Sequence, residues 1–403
     1  MTSRERLLCS LNHQEPDRVP MDFGGMRSTG IVASAYANLV TYLGLDLKPR
    51  IYDITQMLAI VDAEVIEKLQ VDVVPLEPFG ASWTKREYVG RWEERTLFDG
   101  TEALFPYGTR LRTTSNGDWE LYDERGVARH KMPRGGYYFD DIISPVDFSG
   151  EINLVPLEEY NPPMDICDEE LEYLQERART LYKDTEYGIL GFGFGSGFSG
   201  LGIGGWTNWL CLLMQEPNYC KEAVEKAAEA TIRRLALVYE AVGEYPQAWG
   251  IASDDMGTQK AELINPEIFR EVIMPGYKRV CEWVHSNTQW KTFLHCCGSV
   301  YHLIPYYIEA GIDILNPVQT SAANMDPVRL KEEFGGKIVF WGGGCDTQQL
   351  LPFGTPEEIK AHVRERVRVF SPGGGFVFNQ VHNVQYNTPP ENIVAMFDAV
   401  LGR

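Results

Sequence analysis

From about residue 185 onward, short apolar runs alternate with longer segments in which apolar positions recur at helical spacing. The runs are "YGILGFGFG", "AWGIASDD", "KTFLHCCG", "GIDILNPVQ", "KIVFWGGGCD" and "GGFVFNQVHN". Each is rich in β-branched or aromatic residues and closes on glycine or a polar cluster, the pattern of a buried strand. Between them, "CKEAVEKAAEATIRRLALVYEAV" and "TPEEIKAHVRERVRVF" predict amphipathic helices. The latter opens on Thr355, Pro356 and two acids, which supply an N-cap, a first-turn proline and charges that complement the helix dipole. Nearer the N-terminus, "RVPMDFGG" and "VDVVPLEP" predict the first two strands, with helices over "IVASAYANLVTYLGL" and "DITQMLAIVDAEVIEKLQ" between them. Strands alternating with helices imply a parallel sheet. This many units in series predicts an α/β (β/α)8 TIM barrel, a length that one domain over residues 1–403 accommodates.

The texture changes over residues 82–145. Polar and apolar positions alternate there, and "TSNGDWELYDERGVARH" carries Asn116-Gly117 and Arg125-Gly126, dipeptides that tolerate the positive φ of tight turns. This stretch predicts an antiparallel β insertion into the barrel, either a lid or a hairpin with no catalytic part. The run "GFGFGSGFSGLGIGGW" invites a phosphate-binding reading, but it lacks the Walker lysine and has no acid at the expected distance, so packing at a barrel mouth explains its glycines as well.

Composition narrows the partners. Hydrophobic residues make up 44% of the chain and charged residues 23%, and no run approaches the ~20 apolar residues that span a bilayer. The charged start "MTSRERLLCSLNHQEPDRVP" lacks an apolar signal segment, which predicts a cytoplasmic protein. A formal net charge of −20 repels phosphates and anionic membranes, which argues against nucleic-acid and membrane partners. The eight scattered cysteines suit free thiols in a large chain with no signal segment.

In a parallel barrel all strand C-termini point to one face. Read in order, the predicted strand ends bring Asp254 and Asp255, then His295, Cys296 and Cys297, then Asn316 and Gln319, then Cys345 and Asp346, and last Asn379, Gln380 and His382. Residues i and i+2 of an extended chain share a face, so His295 and Cys297 can meet one ion while Cys296 turns into packing. Imidazole with thiolate suits zinc better than Mg²⁺ or Ca²⁺, and a third ligand from another strand end is His382 first, Cys345 second. Three protein ligands leave a position open for a reactant. The plain alternative is a core histidine beside two small hydrophobic cysteines. Asp254 and Asp255 are candidates for general acid or base, for hydrogen-bond partner of a ligand histidine or for acceptor of a substrate hydrogen bond, with a helix N-cap as the plain reading for one of them.

At these residues the sequence resembles the uroporphyrinogen decarboxylase superfamily. The likeness runs through "RVPMDFGGMRSTG", "FGFGSGFSGLGIGGWTNWLCLLMQEP", "FLHCCGSVYHLIPYYIEAGIDILNPVQ", "FWGGGCDTQQLLPFGTPEEI" and "NTPPENIVAMFDAV". It implies a (β/α)8 barrel and one of two chemistries. The decarboxylase branch, acting on a carboxylated substrate without metal, carries an arginine-rich loop after its first strand. Here Arg27 stands alone in "GGMRSTG", and Glu77 stands where that branch has an aspartate. The branch of zinc-dependent corrinoid methyltransferases builds its metal site from a His-x-Cys pair and a ligand near the last strand, which implies His295, Cys297 and His382 as metal ligands. It further implies a corrinoid (cobalamin) on a separate partner protein, a small-molecule methyl donor or acceptor, and a homodimer. Substrate contacts are then expected from Arg27, Asn316, Gln319, Asn379 and Gln380, with Asp254 and Asp255 as catalytic or positioning acids.

Overall fold

The computed structural model describes residues 1–142, 154–160, 162, 166–193, 197–198 and 203–403. Seven parallel strands form its central sheet: β1 (Val73–Leu76), β2 (Gly188–Gly191), β3 (Ala248–Ser253), β4 (Lys291–His295), β5 (Ile314–Asn316), β6 (Val339–Trp341) and β7 (Phe376–Val377). They pair in sequence order from β1 to β7, each beside the next. The two edges are bridged by residues 20–22. Phe378 N donates to Pro20 O, Asp22 N donates to Phe378 O, and Asp72 N donates to Met21 O. The sheet therefore curls round on itself as in a TIM barrel, and its short strands are buried on both faces, which explains their continuous apolar runs.

Inside the curl lie Val73, Leu190, Ala248, Phe293, Ile314, Val339, Trp341 and Val377, drawn from all seven strands. The helix Ser3–Leu11, opened by a capping box between Thr2 and Glu5, adds Leu7 and Leu11 to the same cluster. Gly188 is required for this: a Cβ there would stand 2.4 Å from Leu7 Cδ2. Helices on the outside bury their apolar stripes against the sheet. Among them Pro217–Val242 buries a row of alanines, and Pro356–Phe370 has the expected Thr355 capping box with Glu358.

A buried ion cluster clamps the N-terminal arm beside the closure. Asp72, fully buried, accepts from Arg6 Nη1 at 2.7 Å, from Arg18 Nη1 at 2.6 Å, and from the backbone N of Met21 at 2.8 Å.

Antiparallel strands lie in sequence between β1 and β2. Trp92–Thr96 pairs with Glu102–Pro106, and Leu111–Thr113, Trp119–Tyr122, Ala128–Met132 and Asp140–Asp141 form a four-stranded sheet. Gly117 and Gly126 take φ of 86° and 77° at its turns. Positions 143–145 of the proposed insertion lie outside the described residues, as do 194–196 and 199–202 of the glycine-rich run.

The segment "DITQMLAIVDAEVIEKLQ" corrects one expectation. Only Ala63–Leu69 is helical, while Ile51–Asp53 and Leu58–Ala59 form an antiparallel pair. The Asp53 carboxylate accepts from the Thr55 hydroxyl and the Gln56 backbone, a local turn that competes with helix, and Met57 follows at φ 57°. Among the described residues no helix is long and apolar enough to cross a membrane.

Candidate metal centre

Strand register sets the site. Ser253 of β3 pairs with His295 of β4, and His295 pairs with Asn316 of β5, so three neighbouring strand ends come level at the barrel mouth. Asn316 Nδ2 donates to Trp341 O at 2.8 Å, which aims its Oδ1 back at His295. His295 Nδ1–H donates to that oxygen at 2.6 Å, leaving Nε2 as the ring's lone-pair atom. Nε2 then faces Cys297 Sγ at 3.4 Å, and the His382 ring centroid lies 6.0 Å from that of His295.

One ligand atom from each of His295, Cys297 and His382 lies within 4.8 Å of the other two. Ligand atoms around one tetrahedral zinc stand roughly 3.5 Å apart, so a shift on the order of 1 Å gathers these three. Burial lowers the pKa of His295. Burial, and then the neighbouring His295, push His382 down to about 4, so both imidazoles are neutral at pH 7 as ligation requires. Burial, with Asp255 nearby, raises the Cys297 thiol, a shift that an ion's charge opposes. The donor set and its spacing fit zinc.

Cys296 turns the other way, as strand alternation requires. Its sulfur lies 3.3 Å from the Tyr307 hydroxyl and accepts from Met256 N, and burial pushes its thiol up to about 12. Cys345 is fully buried near Asp346 and Arg366 and does not join the three-residue cluster. His382 stands five positions beyond the end of β7, on the loop rather than on the strand itself.

The remaining candidates divide by position. Asp255 Oδ1 lies 3.9 Å from His295 Nε2 and accepts from Cys297 N at 3.0 Å, so it borders the cluster from an exposed position. Asp254 points elsewhere. Its Oδ2 accepts from Phe198 N at 2.6 Å and from the Tyr277 hydroxyl, anchoring the glycine-rich run at Phe198. A Cβ at Gly197, whose φ is 51°, would meet Asp254 Oδ1 at 2.2 Å. Gln319 Oε1 accepts from Gly298 N at 2.9 Å and holds the turn after Cys297. Gln380 Nε2 donates to Thr29 O at 2.9 Å, and Asn379 Nδ2 donates to Asp22 O at 3.3 Å, so both brace the loop after residues 20–22. That loop carries Ser28, whose Oγ lies 3.4 Å from His295 Nε2, and Arg27, whose Nε lies 3.6 Å from Asp53 Oδ2.

Sequence reasoning missed Tyr52 and Asp53 as neighbours of this mouth, since Asp53 opened the expected helix and Tyr52 preceded it, while in the structure both lie on the strand Ile51–Asp53. No periodicity in the sequence marks them.

A profile of the family described as uroporphyrinogen decarboxylase (URO-D) matches residues 150–402, more than half of the chain. A methylated-thiol–coenzyme M methyltransferase from Methanosarcina mazei is 28% identical over 135 residues, covering 34% of this chain and 33% of that protein. A uroporphyrinogen decarboxylase from Anaeromyxobacter dehalogenans is 26% identical over 204 residues, 49% of this chain and 52% of that one. The matches thus span about a third and about half of these curated relatives. A solved structure titled as a methyltransferase from Methanosarcina mazei superposes with a TM-score of 0.58 over 100% of this chain and 99% of that one, at 18% identity, a likeness of fold.

Proposed function

Because the chain belongs to the uroporphyrinogen decarboxylase (URO-D) family, we propose that it is a zinc-dependent methyltransferase of that family, moving a methyl group between a small molecule and a corrinoid carried by a separate protein. The observation that carries this reading is the convergence of His295, Cys297 and His382, with Asn316 fixing the His295 tautomer. A bound zinc ion supplies a Lewis acid that lowers the pKa of a thiol or draws charge from the heteroatom bearing the methyl group. The name of the Methanosarcina mazei relative supports methyl transfer as the chemistry.

The chain's own residues do the positioning. Asn316 presents Nε2 of His295 toward Cys297. Gln319 holds Gly298, whose φ of 89° lets its loop pass the one bearing Gly257, where a Cβ would stand 2.3 Å from the Gly257 carbonyl. Asp255, the acid nearest to His295, is placed to orient a reactant at the open side. Arg27 and Ser28 sit on the loop that borders the site from residues 20–22.

The alternative, a metal-free lyase acting on a carboxylated substrate, fits the mouth less well. Arg27, the one arginine among the described residues lining the cavity that Glu77 and Glu170 share, already faces Asp53, so anionic groups meet like charge there. Elemental analysis of protein purified without chelator tests the proposal. The expected result is one zinc per chain, lost in the His295→Ala, Cys297→Ala double variant with circular dichroism unchanged, together with demethylation of methylcobalamin by the wild type alone when a thiol acceptor is present. Folded wild-type protein that takes up no zinc overturns it.

A further inference from the structure

Beside the metal ligands lies a second, differently built site. A cavity of about 650 Å³ is lined, among the described residues, by Arg27, Glu77, Glu170 and Phe192. Glu77 immediately follows β1 at the barrel mouth. As a residue it is only partly buried, because one side meets the cavity, yet its Oε1 is sealed from solvent and has no hydrogen-bond partner. The Tyr52 hydroxyl is likewise buried and unpartnered, and it senses the charges of Glu77 and Asp53. Buried polar atoms without partners are rare in folded chains, and of these two Glu77 belongs to a residue that lines the cavity, where a ligand can bring the donor its carboxylate lacks.

Charge identifies the ligand. Arg27 is the one cation lining this cavity among the described residues, and its Nε lies 3.6 Å from Asp53, a residue 2% exposed. Glu170 accepts from Gly80 N at 3.2 Å. Glu77 and Glu170 thus share the cavity lining with Arg27, Asp53 faces that guanidinium, and of these three carboxylates Glu77 is the one left without a donor. Burial pushes Glu77 up to about 7, with Arg27 opposing that shift and Asp53 adding to it. Arg27 offsets this negative charge only in part, and a cation that also donates a hydrogen bond supplies the remaining charge and the missing donor.

We propose that this cavity binds the methyl-bearing small molecule as a protonated amine, its N–H donated to the Glu77 carboxylate and its methyl groups against the Phe192 ring. The identification of the ligand as the methyl-bearing reactant rests on the function proposed above, whereas the binding itself does not. The two sites share a loop. Arg27 faces the cavity while the next residue, Ser28, places its Oγ 3.4 Å from His295 Nε2. An ammonium at Glu77 is thus held beside the loop that reaches the proposed metal ligands, and once its proton passes to the Glu77 carboxylate its nitrogen has a lone pair to offer an ion there.

The test is a titration of the purified full-length protein at pH 7.5 with dimethylammonium chloride and, separately, with dimethyl sulfide, a neutral molecule of nearly the same shape, followed by saturation-transfer NMR. Dimethylammonium is expected to bind at least tenfold more tightly than dimethyl sulfide. Glu77→Gln removes that preference, and Arg27→Gln, which takes away the cavity's cation, strengthens dimethylammonium binding severalfold. The two variants move in opposite directions, so a general loss of structure cannot imitate the pair. Equal binding of the two probes by the wild type, or unchanged ammonium binding in Glu77→Gln, overturns the proposal. Zinc measured on the same samples separates the readings. Zinc-free wild type that prefers dimethylammonium sinks the zinc reading and leaves this site standing, and zinc-loaded protein indifferent to charge does the reverse.

Discussion

Asn316 offers the sharpest check on the proposed metal centre, because it touches the proposed ligand His295 and not the ion itself. In Asn316→Ala the His295 Nδ1–H loses its 2.6 Å acceptor, and with it the contact that assigns the ring's tautomer and plane. The lost hydrogen bond contributes about 1 kcal/mol net, and freeing a fully buried ring to adopt a second tautomer and other orientations adds an effect of similar size. The sum, about 2 kcal/mol, corresponds to roughly 30-fold weaker zinc binding, within the ~10–100-fold range typical when an outer partner of a ligand histidine is removed. Competition against a chromogenic chelator reads this ratio directly, and urea unfolding of the apo protein reports any change in fold stability separately. Asn316→Asp keeps an acceptor in place and is expected to retain affinity within a few-fold. If Asn316→Ala binds zinc as tightly as the wild type, then His295 does not present Nε2 to an ion and the proposed ligand set is wrong.

Three further outcomes follow from the same structure. His382→Ala should lower zinc stoichiometry below one per chain while Cys345→Ser leaves it unchanged, by elemental analysis, because only His382 brings a donor atom to the cluster. Asp72→Asn should cost about 3–5 kcal/mol in urea unfolding, since it leaves Arg6 and Arg18 charged beside a buried partner that no longer neutralises them. Asp22 is pushed up to about 6 by burial, against hydrogen bonds from Trp341 Nε1 and Gly25 N. A raised carboxyl pKa means the folded state holds more protons than the unfolded chain between about pH 4 and 6. Stability should therefore fall as pH rises through that window, by about 3 kcal/mol at most, and the wild type minus Asp22→Asn difference curve in thermal unfolding should show that slope. A flat difference curve refutes the assignment.

The barrel was legible because its strands are buried on both faces and each ends on a recognisable turn, so "KTFLHCCG" and "AWGIASDD" fall on Lys291–His295 and Ala248–Ser253. The His295 and Cys297 pairing was legible for a related reason: alternation along an extended chain is a local rule, and it survived the strand's end at His295. What sequence withheld depends on tertiary contacts. The segment from Asp53 onward has an apolar spacing compatible with helix, but the Asp53 side chain turns the chain back, and a fold-specific pairing of Ile51 with Ala59 decides the outcome. Asp254 stands at a strand end as expected, yet which way its carboxylate faces depends on Tyr277 and Phe198, residues 23 and 56 positions away. The same holds for Glu77, whose lack of a partner is a property of the surrounding loops and leaves no trace in its neighbours along the chain.

The two adjacent cysteines carry a built-in comparison. Cys297 is partly open at the mouth, whereas Cys296 is 1% exposed and lies against the Tyr307 hydroxyl. One peptide thus presents two adjacent sulfurs to any thiol reagent, one reachable and one shielded by the wall of the barrel. A tryptic fragment spanning both would report by its mass how many of the two sulfurs a reagent has modified, and by its fragment ions which one.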